Sequence, residues 1–399
     1  MDFDDTAEDA AYRATARAWI ETQSTSFIRS HRRRAANGEE LAAAKRWQAL
    51  KADAGYAGIE WPAELGGAGG TPMQRIIFDQ EEVAAGMKVS FFGLTLDICL
   101  PTLAKFGSDK DRARRVPPAL RGEEIWCQLW SEPGAGSDLA AVATAAVRDG
   151  DGWRVNGQKV WTSYAQFADY GLLLARTDPS VPKHRGLTVF WLDMRSPGVE
   201  VRPIRQMAGG ADFNEVFLSG VFVSDAQRLG AVDDGWKTIL FALMNERLSV
   251  SFAGAVAHDD LIALARDLDV DGDPALRARI ADWYVREHGV RLTRYRALTA
   301  IARGEAPGPE NSIGKLVEAA QLLDVSREGL MLQGEFGYLD DPALSPYDNR
   351  FQTMFLWAPG FRLGGGTDEI MRTIIAEKVL GLPPEPKADA GLAFAERPR

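Results

Sequence analysis

The sequence holds little cysteine, little histidine, no long apolar run and no excess of positive charge. Cys99 and Cys127 are the two cysteines among 399 residues, too few for a disulfide framework, and each lies in an apolar stretch. Both are expected to be reduced, buried thiols, which points to a reducing, cytoplasmic compartment. The four histidines, His31, His184, His258 and His288, lack metal-ligand spacing, so no metal is expected. No apolar run reaches the ~20 residues of a membrane span. A formal net charge of −10 argues against nucleic acid and anionic membrane surfaces as partners. The basic run "RSHRRR" at 29–34 reads as a solvated helix end or loop. The acidic start "MDFDDTAEDAAYR" resembles neither a signal peptide nor a transit peptide.

What is present divides the chain by pattern. Residues 1–122 read as helical, with apolar residues at helical spacing in "AAYRATARAWIETQSTSF" and "LDICLPTLAKFG", and Gly107 as a helix C-cap. "GGAGGTP" at 66–72 lacks the third glycine of a dinucleotide fingerprint and a preceding strand, so it reads as a loop. Residues 123–230 read as strands. Turn signals at Asp149–Gly152 and Asn156–Gly157 predict a meander of hairpins in a compact antiparallel barrel or sandwich. Residues 231–383 return to helical spacing, and 384–399 read as a flexible tail.

Several stretches could carry chemistry. "WCQLWSEPGAGSD" (126–138) runs from a strand into a Gly-Ala-Gly-Ser turn. Such a turn, with the Ser137 hydroxyl, suits phosphate oxygens, or it simply ends a strand. "GQKVWTSYAQFADY" (157–170) closes a strand with Trp161, Thr162 and Ser163, either as core or against a planar cofactor. In "FALMNERLSVSF" (241–252), Glu246 has Ala242, Leu243, Ser249 and Val250 as helical neighbours. A carboxylate on so apolar a face must be paired, neutral or used, as a general base would be. "GFRLGGGTDEIMRTI" (360–374) sets Gly364, Gly365 and Gly366 before a helix start.

Together these segments resemble the acyl-CoA dehydrogenase family over residues 5–385. "SEPGAGSD" followed by "NGQKVWTS" is the most specific part, supported by "WPAELGG", "FGSDKDR", "DYGLLLART", "LGAVDDGWK" and "GGGTDEIMR". The resemblance implies a helical N-terminal domain, a β-barrel-like middle domain and a C-terminal four-helix bundle, with FAD bound non-covalently. It places Gln128, Leu129 and Ser131 at the flavin ring, and Gly136 and Ser137 at the pyrophosphate. It places Trp161, Thr162 and Ser163 on the other side of the ring, and Thr367, Asp368 and Glu369 as further FAD contacts. Ser137, Asn245, Arg247 and Gly366 fall against the acyl-CoA substrate.

The implied reaction is α,β-dehydrogenation to a trans-2-enoyl-CoA, with hydride passing to flavin N5 and electrons onward to an electron-transfer flavoprotein. Many members carry their catalytic glutamate at the position of Gly365. A subset that includes isovaleryl-CoA dehydrogenase carries it on the first bundle helix before an arginine, and Glu246 before Arg247 matches that place. Gly365 then keeps a backbone donor for the thioester carbonyl. The family's Arg-x-x-Phe-Gly segment, which reaches FAD on a neighbouring subunit, is replaced near 265–275 by "ARDLDVDGDPALRAR". "LMLQGEFGYL" matches the family's Gly-Gly-x-Gly flavin segment only in part. These departures leave a homo-oligomer or a hetero-oligomer with a second dehydrogenase subunit open. A half-site or non-catalytic subunit, and a flavin oxidase or monooxygenase, are the competing functions.

Overall fold

The computed structural model describes residues 5–24, 38–87, 90–249, 255–303, 308–341, 344–386, 389 and 391–397. The basic run at 29–34 lies outside the described residues. The chain divides into two compact units, Met1–Ser249 with Pro386–Arg399, and Val250–Glu385.

The first unit opens with helices α1 (Ala7–Gln23), α2 (Gly38–Asp53), α3 (Pro72–Ala84), α4 (Leu100–Phe106) and α5 (Asp109–Leu120). Their starts follow from side-chain caps. Thr6 accepts from the Asp9 N–H, and Ser108 from that of Asp111. Thr71 and Gln74 form a capping box around Pro72. Ile20, Trp47, Phe78 and Met87 bury a shared apolar cluster, each contributing about 1.5–3 kcal/mol. A π-helical turn, Leu94–Cys99, leads into α4, which ends at the Gly107 cap.

The strands are β1 (Trp126–Leu129), β2 (Ala145–Asp149), β3 (Gly152–Ser163), β4 (Tyr170–Arg176), β5 (Leu187–Asp193), β6 (Val199–Ile204), β7 (Phe213–Ser224) and β8 (Arg228–Leu229). They make one eight-stranded sheet in the order β6-β7-β3-β2-β4-β5-β8, with β1 on β4. Most pairs are antiparallel, but β1 and β2 each run parallel to β4, which the sequence pattern does not reveal. Alternation along β4 feeds two cores. Leu172 and Leu174 face α4 and α5, while Leu173 and Ala175 face a core built by strands. In that second core Trp153 of β3 meets Phe190 of β5 at 5.7 Å between ring centroids, so the sheet curls upon itself as expected for a barrel-like domain.

The Asp149–Gly152 turn joins β2 to β3 as read from the sequence. Asn156–Gly157 is a correction: it lies inside β3, where the register against β7 slips between Val155 and Gly157. A Cβ at Gly157 would meet Thr144 Oγ1 at 2.3 Å, and Asn156 Oδ1 accepts from the Gly220 N–H. The Asn-Gly pair thus serves a β-bulge and a close approach.

Helix α6 (Gly235–Ser249) sends Ile239 and Ala242 into the core that β4 and β5 share with α4 and α5, so it packs within the first unit. The second unit holds α7 (His258–Asp267), α8 (Pro274–Ala302), α9 (Asn311–Leu332), α10 (Arg350–Phe361) and α11 (Asp368–Ile374), with a π turn Ile375–Val379 after α11. Leu261, Leu264, Trp283, Leu322, Val325, Phe351 and Ala358, from α7 to α10, form its core.

The end of the chain differs from the flexible tail expected at 384–399. Phe394 covers the Arg176 guanidinium at 3.9 Å, and its N–H donates to Val181 O. Arg397 pairs with Asp138 (3.0 Å) and Asp389 (2.9 Å), and Lys183 with the same two carboxylates. A nearly buried arginine face recruits an aromatic ring, and that contact orders the segment. Among the described residues, no helix is long and apolar enough to cross a membrane, and no group of His, Cys, Asp and Glu could hold a metal ion.

Candidate active site

In the first unit, the "SEPGAGSD" segment is pinned at its two ends and open between them. Glu132 accepts from the Ala143 N–H (2.7 Å), the Thr144 N–H (2.9 Å) and Lys159 Nζ (2.8 Å). Lys159 is fully buried and also donates to the carbonyls of Trp130 (3.0 Å) and Leu174 (2.7 Å). Burial pulls its amine down to about 8, against the opposing pull of Glu132. Glu132 is held below the usual carboxylate range because Lys159 and the N–H donors outweigh its burial. Asp138 closes the far end through Lys183 and Arg397. Between these anchors Gly134, Gly136 and Ser137 are exposed, and a Cβ at either glycine would meet nothing within 4 Å.

Strand β1 supplies Gln128, whose Nε2 is buried without a hydrogen-bond partner. The Leu129 side chain is fully buried in the strand-built core, so its backbone is what remains for a ligand. Ser131 is half-buried, and its carbonyl accepts from the Val160 N–H at 2.9 Å. Across from this, β3 carries a second register slip between Lys159 and Thr162. Trp161 lies within it at φ 59° and is 61% exposed, an unusual place for an indole in a packed sheet. Thr162 beside it is buried with an unpartnered Oγ1, and its carbonyl accepts from Asn214 Nδ2 at 3.0 Å. Ser163 is half-buried. An exposed indole next to the buried, unpartnered Thr162 Oγ1, with a second such atom on Gln128 of β1, fits a planar, hydrogen-bonding cofactor, and the open glycine turn suits a phosphate-bearing chain. The residues present therefore fit FAD.

Glu246, on α6, is half-buried. Its charge reaches the Cys99 thiol, which burial first, and then Cys127 and Glu246, push well above the usual range. Glu246 thus lies close to the π turn Leu94–Cys99, among the apolar neighbours Ala242 and Leu243 that the sequence indicates. Asn245 is half-buried, with an unpartnered, buried Nδ2. The Arg247 side chain lies outside the described residues.

In the second unit, Gly365 (φ 66°) and Gly366 (φ 97°) are both left-handed, which explains why glycines stand there. A Cβ at Gly366 would meet Met371 Cε at 2.5 Å. Thr367 caps α11 by accepting from the Ile370 N–H. Asp368 is buried and bound to Arg362 (2.6 Å), with Oδ1 left unpartnered, while Glu369 is exposed. Two further residues escape the sequence reading. Arg362 anchors Asp368, and Lys315 of α9 donates to the Gly366 carbonyl. Burial lowers the Lys315 amine, with Asp368 opposing. The available signal was a lysine set in the apolar helical run "SIGKLVEAA".

Comparison with known proteins gives these features a family. The N-terminal, middle and C-terminal domain models of the acyl-CoA dehydrogenases match residues 6–123, 127–221 and 233–380. The Mycobacterium tuberculosis acyl-CoA dehydrogenase IpdE1 is 37% identical, covering 86% of this chain and 88% of its own. Acyl-CoA dehydrogenase FadE34 of the same organism is 39% identical over 84% of this chain, which spans 46% of FadE34's length. Among solved structures, the Tcur3481-Tcur3483 steroid ACAD has TM-score 0.85 at 28% identity, covering 96% of this chain and all (100%) of that one. The ChsE4-ChsE5 complex from Mycobacterium tuberculosis has TM-score 0.80 at 28% identity, with the same coverage, 96% and 100%. The chain belongs to the acyl-CoA dehydrogenase family, whose members are FAD-dependent flavoproteins.

Proposed function

We propose that this protein dehydrogenates an acyl-CoA thioester at its α and β carbons, with Glu246 as the base. The observation that carries the reading is a half-buried carboxylate among apolar neighbours on α6, in a chain whose family glutamate position is the left-handed Gly365. Glu246 accepts the α-proton on a carboxylate oxygen. A backbone N–H of the Gly365–Gly366 turn donates to the thioester carbonyl and stabilises the charge that builds there. Lys315 and Thr367 hold that turn from either side. Gln128, Thr162, Ser163 and the Trp161 face would hold the flavin ring. Gly136 and Ser137 would hold its pyrophosphate, with Thr367, Asp368 and Glu369 as further contacts. FAD, when bound, supplies the hydride acceptor. Ser137, Asn245, Arg247 and Gly366 would face the substrate.

A hetero-oligomer with a second dehydrogenase subunit is the assembly this reading favours. At 268–273, α7 has ended and the chain turns through Asp269 at φ 55°, where the family has its arginine segment. Met331, Phe336 and Tyr338, in the partly matching flavin segment, are exposed apolar side chains, as an unfilled interface would leave them. ChsE4-ChsE5 is by name a complex of two proteins. Electron-transfer flavoprotein is the acceptor proposed, and the buried free thiols Cys99 and Cys127 favour a cytoplasmic location. The test is to purify the chain alone and with candidate partner subunits, then measure bound FAD and enoyl-CoA formation with a dye acceptor. FAD loss alone and recovery with a partner are expected. Stoichiometric FAD and turnover by the isolated chain would remove the partner, and no enoyl-CoA in any assembly would remove the reaction.

A further inference from the structure

Gly136 and Ser137, which the proposed reading sets against a pyrophosphate, are exposed. Glu132 and Ala135 exchange backbone hydrogen bonds of 3.1 and 3.0 Å just before them. Their place is therefore set by where the chain is held on either side. On the near side that is Glu132, bound to the buried Lys159. On the far side it is Asp138, directly after Ser137, and there the end of the chain takes part.

Four charges close a ring at Asp138. It pairs with Lys183 (2.8 Å) and Arg397 (3.0 Å), and Asp389 pairs with the same two cations (2.7 and 2.9 Å). The Lys183, Asp389 and Arg397 side chains are 14%, 18% and 19% exposed, so solvent and salt screen the ring less than a surface pair. A second set of contacts adjoins it. Arg176, the last residue of β4, donates to the carbonyls of Ala140 (2.6 Å), Val142 (3.2 Å) and Lys183 (2.8 Å). It thereby ties the chain leaving the turn to the loop that carries Lys183. Phe394 covers this guanidinium, and the Phe394 and Ala395 N–H groups donate to Val181 O (2.9 Å) and Pro179 O (3.0 Å) of that loop. Ion pairs, an aromatic cover and backbone hydrogen bonds from residues 389–397 thus converge on the two segments that hold the far side of the turn.

We propose that residues 389–397 form a clasp on the far end of the Gly136 and Ser137 turn, and that Phe394 and Arg397 are positioning residues for the FAD pyrophosphate there. A turn held at both ends presents its N–H groups already placed. A turn released at Asp138 must be ordered as the ligand binds, and affinity falls accordingly. The inference rests on the reading that places FAD at Gly136 and Ser137.

The test uses the full chain, in the assembly that retains FAD, after the flavin has been stripped. FAD affinity is measured by flavin fluorescence titration, and hydrogen exchange is followed in peptides covering residues 133–142. Phe394→Ala and Arg397→Ala are each expected to weaken FAD binding about tenfold, as re-ordering one freed residue would. Both should speed exchange across 133–142. Phe394→Tyr and Arg397→Lys keep the ring over Arg176 and the charge beside Asp138, and should retain most of the affinity. Action through Asp138 has its own signature: in an Asp138→Asn chain, Arg397→Ala should change FAD affinity little. A lower melting temperature with wild-type FAD affinity and exchange would overturn the proposal. So would losses for Asp138→Asn and Arg397→Ala that simply add. Faster exchange in the variants, with FAD affinity unchanged or with no FAD bound even by wild type, would leave the clasp standing and overturn the placement of FAD on this turn.

Discussion

At the scale of single residues, the buried Lys159–Glu132 pair holds the open turn that carries Gly136 and Ser137. Lys159 is fully buried, so removing its counter-ion strands a charge in the core. Glu132→Gln is expected to cost about 3–5 kcal/mol in denaturant unfolding at pH 7. The pH dependence has a defined sign. The Glu132 pKa is depressed in the folded chain, so its contribution is complete above its ordinary value of 4.5 and is lost as pH falls through the lower, folded value. Lys159 is depressed from 10.5 to about 8, so in that window the unfolded chain binds the extra proton and stability rises with pH. Unfolding curves from acid to pH 10.5 check both limbs. Parallel profiles for wild type and Glu132→Gln below pH 4.5 would contradict the assignment. The lysine and glutamate are visible in the sequence; their pairing is not, because it joins residues on a turn and a strand that only the sheet brings together.

At the scale of elements, the glycine turn into α11 depends on backbone conformation. Gly366→Ala places a Cβ against Met371 Cε at φ 97°, a double penalty. It is expected to lower the melting temperature and weaken FAD binding, read by thermal unfolding and flavin release. Met371 is itself buried, so the double variant Gly366→Ala/Met371→Ala is compared with Met371→Ala alone: it lacks the contact but keeps the φ strain, and should melt below that single variant. Equal melting temperatures of the two would show that contact alone demands the glycine. Helix caps at Thr71, Ser108 and Thr367 are local signals, and the helix start after the glycine triplet, which Thr367 sets, was read from the sequence. The Asn156–Gly157 bulge was not, because the same dipeptide makes a hairpin turn when its flanking strands pair with each other. Here β3 continues through it because β7 pairs along its length.

At the scale of the whole molecule, the sequence pattern conveys helices, then strands, then helices, and family motifs mark the candidate residues within each unit. Long-range facts stay hidden. These include the parallel pairing of β1 with β4, the packing of α6 in the first unit, and the return of Phe394 and Arg397 to Arg176 and Asp138. Each rests on contacts between residues far apart in the chain, which periodicity does not record. Glycine at 365 and glutamate at 246, by contrast, are informative only as a pair, since either alone reads as a loop residue or a structural charge. The central claim is that Glu246 is the base. It is tested by anaerobic titration of flavin-loaded wild type and Glu246→Gln, in the assembly that retains FAD, with acyl-CoA while the flavin absorbance is followed. Wild type should bleach, and Glu246→Gln should bind the thioester yet bleach about 10²–10⁴-fold more slowly. Bleaching of Glu246→Gln at the wild-type rate would contradict the claim.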